Sequence, residues 1–172
     1  SGPEPTDTLL LLGSPLPDFI WSLNTSFRYR NFDLNIFIEA VHGNLIYNNT
    51  ANSIGIMGNI GMARNTFPST VVTGEHRGNS LRFSDRFLED GSYVRLSNIT
   101  LGYNLPVSNI PWISNLRFYI SGSNLFVITD YTGYDPDVTN TTGKFDAHNS
   151  IGIDNSSYPK SRTYLFGLNV TF

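Results

Sequence analysis

Alternation of apolar and polar residues is the clearest signal in this chain, and it recurs in five stretches. In the last stretch the apolar positions are Tyr164, Phe166, Leu168, Val170 and Phe172, and the residues between them are mostly polar. A repeat of two residues is the pattern of a β-strand with one apolar and one polar face. The sequence therefore predicts a closing strand whose apolar face includes the final aromatic residue.

Four earlier stretches show the same alternation and predict strands at about residues 19–29, 32–41, 93–103 and 116–123. The first two form a hairpin with a tight turn at Arg30 and Asn31. Mixed alternation near Ser97 indicates either a bulge in the third strand or the point where it leaves a bilayer. We expect an opening loop (1–18), a hairpin (19–41), a long loop (42–91), two strands with a short turn (92–123), a second long loop (124–161) and a closing strand (162–172).

The lengths of the connections alternate between short and long, as they do in transmembrane β-barrels, where tight turns are periplasmic and long loops are extracellular. A periplasmic C-terminus would place both long loops outside the cell. Five strands cannot close such a barrel, because bacterial single-chain barrels have even strand numbers. We therefore predict an all-β fold that forms the C-terminal antiparallel strands, about five, of a large transmembrane β-barrel.

A soluble β-sandwich remains open as an alternative, because two packed sheets also produce alternating strands. Its long loops would bind carbohydrate or an adhesive ligand. A detergent requirement separates the two hypotheses, since barrel strands on their own would aggregate through exposed apolar faces and unpaired edges.

Composition narrows the function classes. Charged residues make up only 15% of the chain, against roughly 25% in an ordinary soluble domain. The net charge of −3 leaves no basic surface for nucleic acid. The absence of cysteine removes disulfides and thiolate metal sites. No apolar run approaches the ~20 residues of a membrane helix.

The distribution of charge over the predicted strands supports a membrane wall. One face of every strand is free of charge, and we predict that it contacts outer-membrane lipids, because a midplane Arg or Lys would cost roughly 2 to 4 kcal/mol. The predicted lipid-facing residues are Leu23, Phe27, Ile36, Ile38, Leu101, Phe118, Phe166 and Val170. The candidate lumen-facing residues are Asn24, Arg28, Asp33, Asn35, Glu39, Thr100, Arg117 and Ser121.

Catalytic and metal-binding patterns are weak. His42, His76 and His148 are far apart, without the spacing of a zinc site. The second long loop contains Asp130, Asp135, Asp137 and Asp146, whose oxygen ligands suit Ca²⁺, but their spacing differs from that of an EF-hand. We therefore predict no enzyme activity, no cofactor and no metal site.

Four ordered segments resemble the SusC/RagA family of TonB-dependent outer-membrane transporters. They are Tyr29 to Leu34, Asp85 to Pro106, Gly122 to Phe126 with Asp130 to Asp137, and Ser157 to Tyr164. The resemblance is densest in DRFLEDGSYVRLSNITLGYNLP, the second of these segments. It covers most of the chain and leaves out the opening residues and the middle of the first long loop.

The resemblance implies a plugged barrel of about 22 strands that imports glycans or peptides through the outer membrane of Gram-negative Bacteroidetes. A SusD-like surface lipoprotein would act as its lid, and TonB would act through a plug that this chain does not contain. The barrel-assembly machinery would read Tyr164, Phe166, Leu168, Val170 and Phe172 as its signal. Candidate loop contacts for cargo or partner are Tyr47, Tyr131, Tyr134, Asp135, Asp137 and Tyr158.

Overall fold

The computed structural model describes residues 11–62, 64–72, 85–108, 112–138 and 151–172. Strands dominate these residues, and short helices occur only in the first long loop. The helices are α1 (Asn49–Ile54), α2 (Gly58–Gly61) and α3 (Pro68–Val72), with a 3₁₀ turn at Asp85–Phe87. The strands are β1 (Phe19–Tyr29), β2 (Phe32–His42), β3 (Leu45–Asn48), β4 (Leu88–Asp90), β5 (Tyr93–Leu105), β6 (Asn115–Thr129), β7 (Ile153–Asp154) and β8 (Thr163–Thr171).

Five of these strands form the main sheet in the order β1-β2-β5-β6-β8, and each pair of neighbours is antiparallel. One end of the sheet, the turn end, carries the tight β1–β2 turn and the connection between β5 and β6. The opposite end, the loop end, carries both long loops. There β3 pairs with β4 and, in parallel, with β7 to form a small second sheet. The five predicted strands are therefore confirmed.

The irregularity that the sequence shows near Ser97 is a β-bulge. The register between β2 and β5 shifts between Phe37 and Ile38, and the register between β5 and β6 shifts between Leu96 and Asn98. An extra residue in one strand reverses which side chains share a face. The bulge places Arg95 opposite Glu39 on the face that also holds Asn98.

The register sorts the main sheet into two faces. The apolar face holds all eight predicted lipid-facing residues: Leu23, Phe27, Ile36, Ile38, Leu101, Phe118, Phe166 and Val170. The polar face holds all eight residues predicted to face a lumen: Asn24, Arg28, Asp33, Asn35, Glu39, Thr100, Arg117 and Ser121. The environment of each face is taken up below as a proposal.

One predicted boundary and the expected content of the long loops were wrong. β6 continues to Thr129, six residues beyond Ser123. Gly122, Ser123 and Asn124 have the composition of a turn, and Asn124 does adopt a left-handed φ of 53°, but the strand continues past this irregularity. The two long loops, expected to be irregular, contain β3, β4, β7 and the short helices. These elements were too short for their periodicity to be recognised.

Two glycines make room for an aromatic ring and an ion pair on the polar face. Asp33, Gly102, Tyr119 and Gly167 lie side by side across β2, β5, β6 and β8. A Cβ atom at Gly167 would meet the ring of Tyr119, and one at Gly102 would meet the carboxylate of Asp33 and the guanidinium of Arg117. The row therefore depends on small residues on both sides of Tyr119.

Replacement of Gly167 by Ala should force the Tyr119 ring off the sheet. We expect a loss of about 1 to 2 kcal/mol in unfolding free energy, measured by thermal unfolding of the complete protein in detergent. Gly61→Ala is the control, because a Cβ there meets nothing within 4 Å. Equal melting temperatures for Gly167→Ala and wild type would contradict the packing of Tyr119 over Gly167.

Candidate functional site

A bidentate ion pair crosses the polar face near the turn end. Arg117 donates from Nε to Asp33 Oδ1 at 3.1 Å and from Nη2 to Asp33 Oδ2 at 2.5 Å. Asn104 Nδ2 also donates to Asp33 Oδ1, at 3.2 Å. Parallel N–H···O bonds of this kind are strong and geometrically specific. They tie β2 to β6 across β5, over the space that Gly102 leaves open.

An uncharged band of hydroxyl and amide groups lies next to this ion pair. The hydroxyls of Thr100 and Ser121 are 2.8 Å apart, and Asn98 Nδ2 donates to Ser123 Oγ at 3.1 Å. Asn35 lies in the same row as Thr100. These polar side chains of β5 and β6 thus form hydrogen bonds with one another, and the band remains polar and uncharged.

Arg95 forms a second charged cluster on the same face, near the loop end. Its side chain is 2% exposed, and its Nη2 contacts Asp135 Oδ1 at 2.5 Å. Its Nε lies 3.9 Å from Glu39 Oε1, and its guanidinium stacks over the Tyr93 ring at 5.1 Å from the centroid. Two carboxylates and an aromatic face therefore surround one buried cation, which offsets the desolvation of the guanidinium.

The Asp135 carboxylate is held ionised by its donors. Burial raises its pKa, but hydrogen bonds from Arg95 and from the backbone N–H groups of Asp137 and Lys160 outweigh burial and bring the pKa below its ordinary value. Asp137 forms an ion pair with Lys160. These contacts fasten residues 130–138 to the segment that leads into β8.

A second set of contacts joins the two long loops to each other. Tyr131 donates from its hydroxyl to Asp154 Oδ2 at 2.6 Å, and Thr132 donates from N and Oγ1 to Glu89 at 2.8 and 2.9 Å. Burial and the bond to Asp154 raise the pKa of Tyr131. Ile46, Tyr131 and Val138 form the buried core of this part. We call the joined residues 44–54, 85–91, 130–138 and 151–160 the loop body.

Two of the predicted loop contacts must be corrected. Tyr131 and Asp135 are buried inside the loop body, at 5% and 7% exposure, because they bond to Asp154 and Arg95. They stabilise the loops and do not offer a surface to cargo. Tyr47 is half-buried and accepts a hydrogen bond from Asn52. Tyr134 and Tyr158 are exposed, at 71% and 90%.

Sequence reasoning missed Arg95, Asp154 and Glu89 as organising residues. Arg95 lies in the part of β5 where the bulge disturbs the alternation, so its face could not be read from parity. Asp154 and Glu89 bond to residues 23 and 43 positions away. Arg95 is the one charged residue of β5, and this was the available signal for it.

The residues considered for chemistry do not form a metal centre in the described ranges, where no three His, Cys, Asp or Glu side chains cluster as ligands. The His42 ring packs on Phe19, with centroids 4.9 Å apart, and Asp130 is exposed. His76, His148 and Asp146 lie outside the described residues. No described helix is both long enough and apolar enough to cross a membrane.

Comparison with known proteins shows to which class of protein this chain is similar. The chain is 39% identical to TonB-dependent receptor P3 of Formosa agariphila, a match that covers 94% of this chain and 17% of that protein. It is 31% identical to the SusC receptor of Bacteroides thetaiotaomicron, over 92% of this chain and 15% of that protein. No protein-family model matches the chain. The chain thus spans about one sixth of the length of these curated relatives.

Structural similarity agrees. The RagAB peptide importer in its open-open state matches 94% of this chain and 18% of the compared chain, with a TM-score of 0.76 at 24% identity. Its closed-closed state gives a TM-score of 0.74. The chain is therefore homologous to one segment of the TonB-dependent receptors, a class of outer-membrane proteins. Its relatives include SusC, so the predicted SusC/RagA resemblance and the barrel-type fold are confirmed.

The Arg95–Asp135 pair predicts a pH dependence of the loop body. Because the pKa of Asp135 is lowered by folding, its contribution to stability is complete above the ordinary Asp pKa of about 3.9 and is lost as the pH falls through the folded value. The protection factors of the amides in residues 130–138, which are exchange rates corrected for the intrinsic effect of pH, should therefore fall below about pH 4.

Asp135→Asn should accelerate the same exchange at neutral pH and flatten its acid dependence, with a destabilisation of about 3 kcal/mol, because Arg95 loses its closest carboxylate. Asp130→Asn, at an exposed position of the same segment, is the matched control. An Asp135→Asn profile that still follows the wild-type acid transition would rule out Asp135 as its cause.

Proposed function

We propose that this chain forms part of the wall of an outer-membrane, TonB-dependent nutrient importer. The observation that carries the proposal is the division of the main sheet into an uncharged apolar face and a hydrogen-bonded polar face. Large apolar side chains are exposed on the apolar face of all five strands, for example Phe27 at 59% and Phe166 at 75%. In hydrocarbon such a face is stable, whereas in water it would promote association.

The polar face would line the lumen or contact a plug supplied by the rest of the receptor. Four of its charged residues form two ion pairs within the sheet, Asp33 with Arg117 and Glu39 with Arg95. The soluble sandwich alternative has no comparable support, because the relatives of this chain are receptors and its fold matches that of an importer.

The turn end would be periplasmic and the loop end extracellular. Aromatic pairs at the turn end support an interfacial girdle there: the Phe32 and Tyr103 rings are 4.7 Å apart, and Trp112 stacks on Phe172 at 6.2 Å. Ser114 N donates to Thr171 O at 2.7 Å, which holds the closing strand to the β5–β6 connection. On this orientation, the assembly signal in Tyr164, Phe166, Leu168, Val170 and Phe172 would lie at the periplasmic side.

The loop body would contact the partner protein and the cargo. A SusD-like lipoprotein is the proposed partner, a glycan or a peptide is the proposed cargo, and TonB would act through a plug. Support comes from the relatives, one of which is named SusC, and from the fold shared with an importer of peptides, RagAB. Tyr134 and Tyr158 are the proposed contact residues, because they are exposed while their neighbours Asp135 and Lys160 are fixed.

Spin labels in the intact receptor test the wall assignment. Labels at Leu23, Ile36 and Phe166 should be accessible to oxygen but not to a polar relaxation agent, because these residues would lie in lipid. Labels at Asn24, Asn35 and Thr100, their counterparts on the polar face, should show the reverse. Polar-agent access at the first three positions would reject the wall assignment.

Paired substitutions test the loop contacts. Tyr134→Ala with Tyr158→Ala should weaken lid binding or cargo uptake, by about 1 kcal/mol or more for each ring that is a hot spot. Tyr134→Phe with Tyr158→Phe keeps both rings and is the matched control. Lid affinity and uptake rate are both measured, with surface level as a normaliser. Wild-type values for the alanine pair would remove these tyrosines from the proposed interface.

A further inference from the structure

A groove on the apolar face at the loop end is the feature that the proposed wall does not use. It spans β1, β2, β5 and β6 and has a volume of about 260 Å³. Its floor is one row of the sheet, formed by Trp21, Ala40, Val94 and Ile128 as successive neighbours. Ala40 is the small residue of this row and is only 2% exposed, while Trp21 and Ile128 stand beside it at 44% and 65%. We call this cavity the end groove.

The next row of the sheet gives the end groove a polar rim. His42 ends β2, Ser92 precedes β5 and Asp130 follows β6, and all three line the cavity together with Asp90. Ser92 donates from Oγ and N to Asp90 Oδ1 at 2.6 and 2.8 Å. These bonds lower the pKa of Asp90, so its carboxylate is ionised at neutral pH. None of the described residues that line the groove is Lys or Arg.

The apolar floor and the acidic rim of the end groove lie one after the other along the strand direction. This arrangement matches the hydrocarbon chain and the polar head group of an amphiphile. The volume is slightly below the ~300 Å³ at which small-molecule pockets begin, which suits the end of one hydrocarbon chain. Two carboxylates favour a cationic head over a phosphate. Strands that join the free edges of β1 and β8 would extend the sheet sideways and leave this face open.

We propose that the end groove binds one acyl chain of a membrane lipid that carries a primary ammonium in its head group. The chain lies against Ala40 between Trp21 and Ile128, and the ammonium lies at Asp90 and Asp130. This inference rests on the proposed wall function, because it requires the apolar face to lie in the membrane.

Native mass spectrometry of the intact receptor tests the proposal. Phosphatidylethanolamine and phosphatidylglycerol with identical acyl chains are the probes, each titrated in detergent. The wild type should retain one more tightly bound phosphatidylethanolamine than Ala40→Leu, in which the added side chain fills the groove. Thr25→Leu is the control, because Thr25 shares the apolar face opposite Ile36, away from the groove. Ile128→Ala, at an exposed position, removes one wall and should lower retention without threatening folding.

Asp130→Asn should reduce the preference for phosphatidylethanolamine over phosphatidylglycerol by roughly twofold to fivefold, the range of an exposed charge contact. Equal retention by wild type, Ala40→Leu and Ile128→Ala would overturn the proposal, and so would equal binding of the two lipids by the wild type. The spin-label pattern separates this failure from failure of the proposed function. If the labels report lipid contact and the groove variants change nothing, only the end groove is rejected.

Discussion

The buried guanidinium of Arg95 is the interaction on which the relation between the sheet and the loops depends. It projects from β5, and its closest carboxylate belongs to Asp135, forty residues further along the chain. Removal of one partner from such a pair leaves an uncompensated buried charge and costs about 3 to 5 kcal/mol. The loop body is therefore anchored to the main sheet by a contact in which the loss of either partner is costly. Exposed residues beside Asp135, above all Tyr134, take their position from this anchor.

The polar face contains two ion pairs in which the opposite charges compensate each other. These pairs lie at its two ends, Asp33 with Arg117 toward the turn end and Glu39 with Arg95 toward the loop end. Between them lie Asn98, Thr100 and Ser121, which bond to one another and carry no charge. If this face lines a lumen, as proposed, passing cargo meets uncharged hydrogen-bonding groups between these two ion pairs. Such a surface would hold polar solutes weakly, as passage requires.

The sequence alone was sufficient for the five long strands, since a two-residue period maintained over many residues identifies both the strand and its faces. It was insufficient wherever geometry broke the period. Because of the bulge at Ser97, the alternation does not show on which face Arg95 lies. The turn-like residues before and at Asn124, which has a left-handed φ, led to a predicted end of β6 at Ser123. Tyr131 and Asp135 looked like contact residues because their partners, Asp154 and Arg95, are distant in sequence. Burial of a loop residue is a tertiary property that local composition does not encode.

The two edges of the main sheet bear on the proposed membrane wall. Within the described residues, the outer edges of β1 and β8 have no neighbouring strand, and an exposed edge presents a row of unpaired backbone groups. The apolar face adds exposed aromatic and aliphatic side chains on every strand. In hydrocarbon each unpaired backbone group would cost several kcal/mol, so lipid contact on the face demands pairing at both edges. The two requirements are met together only by a closed barrel, to which this chain would contribute one arc.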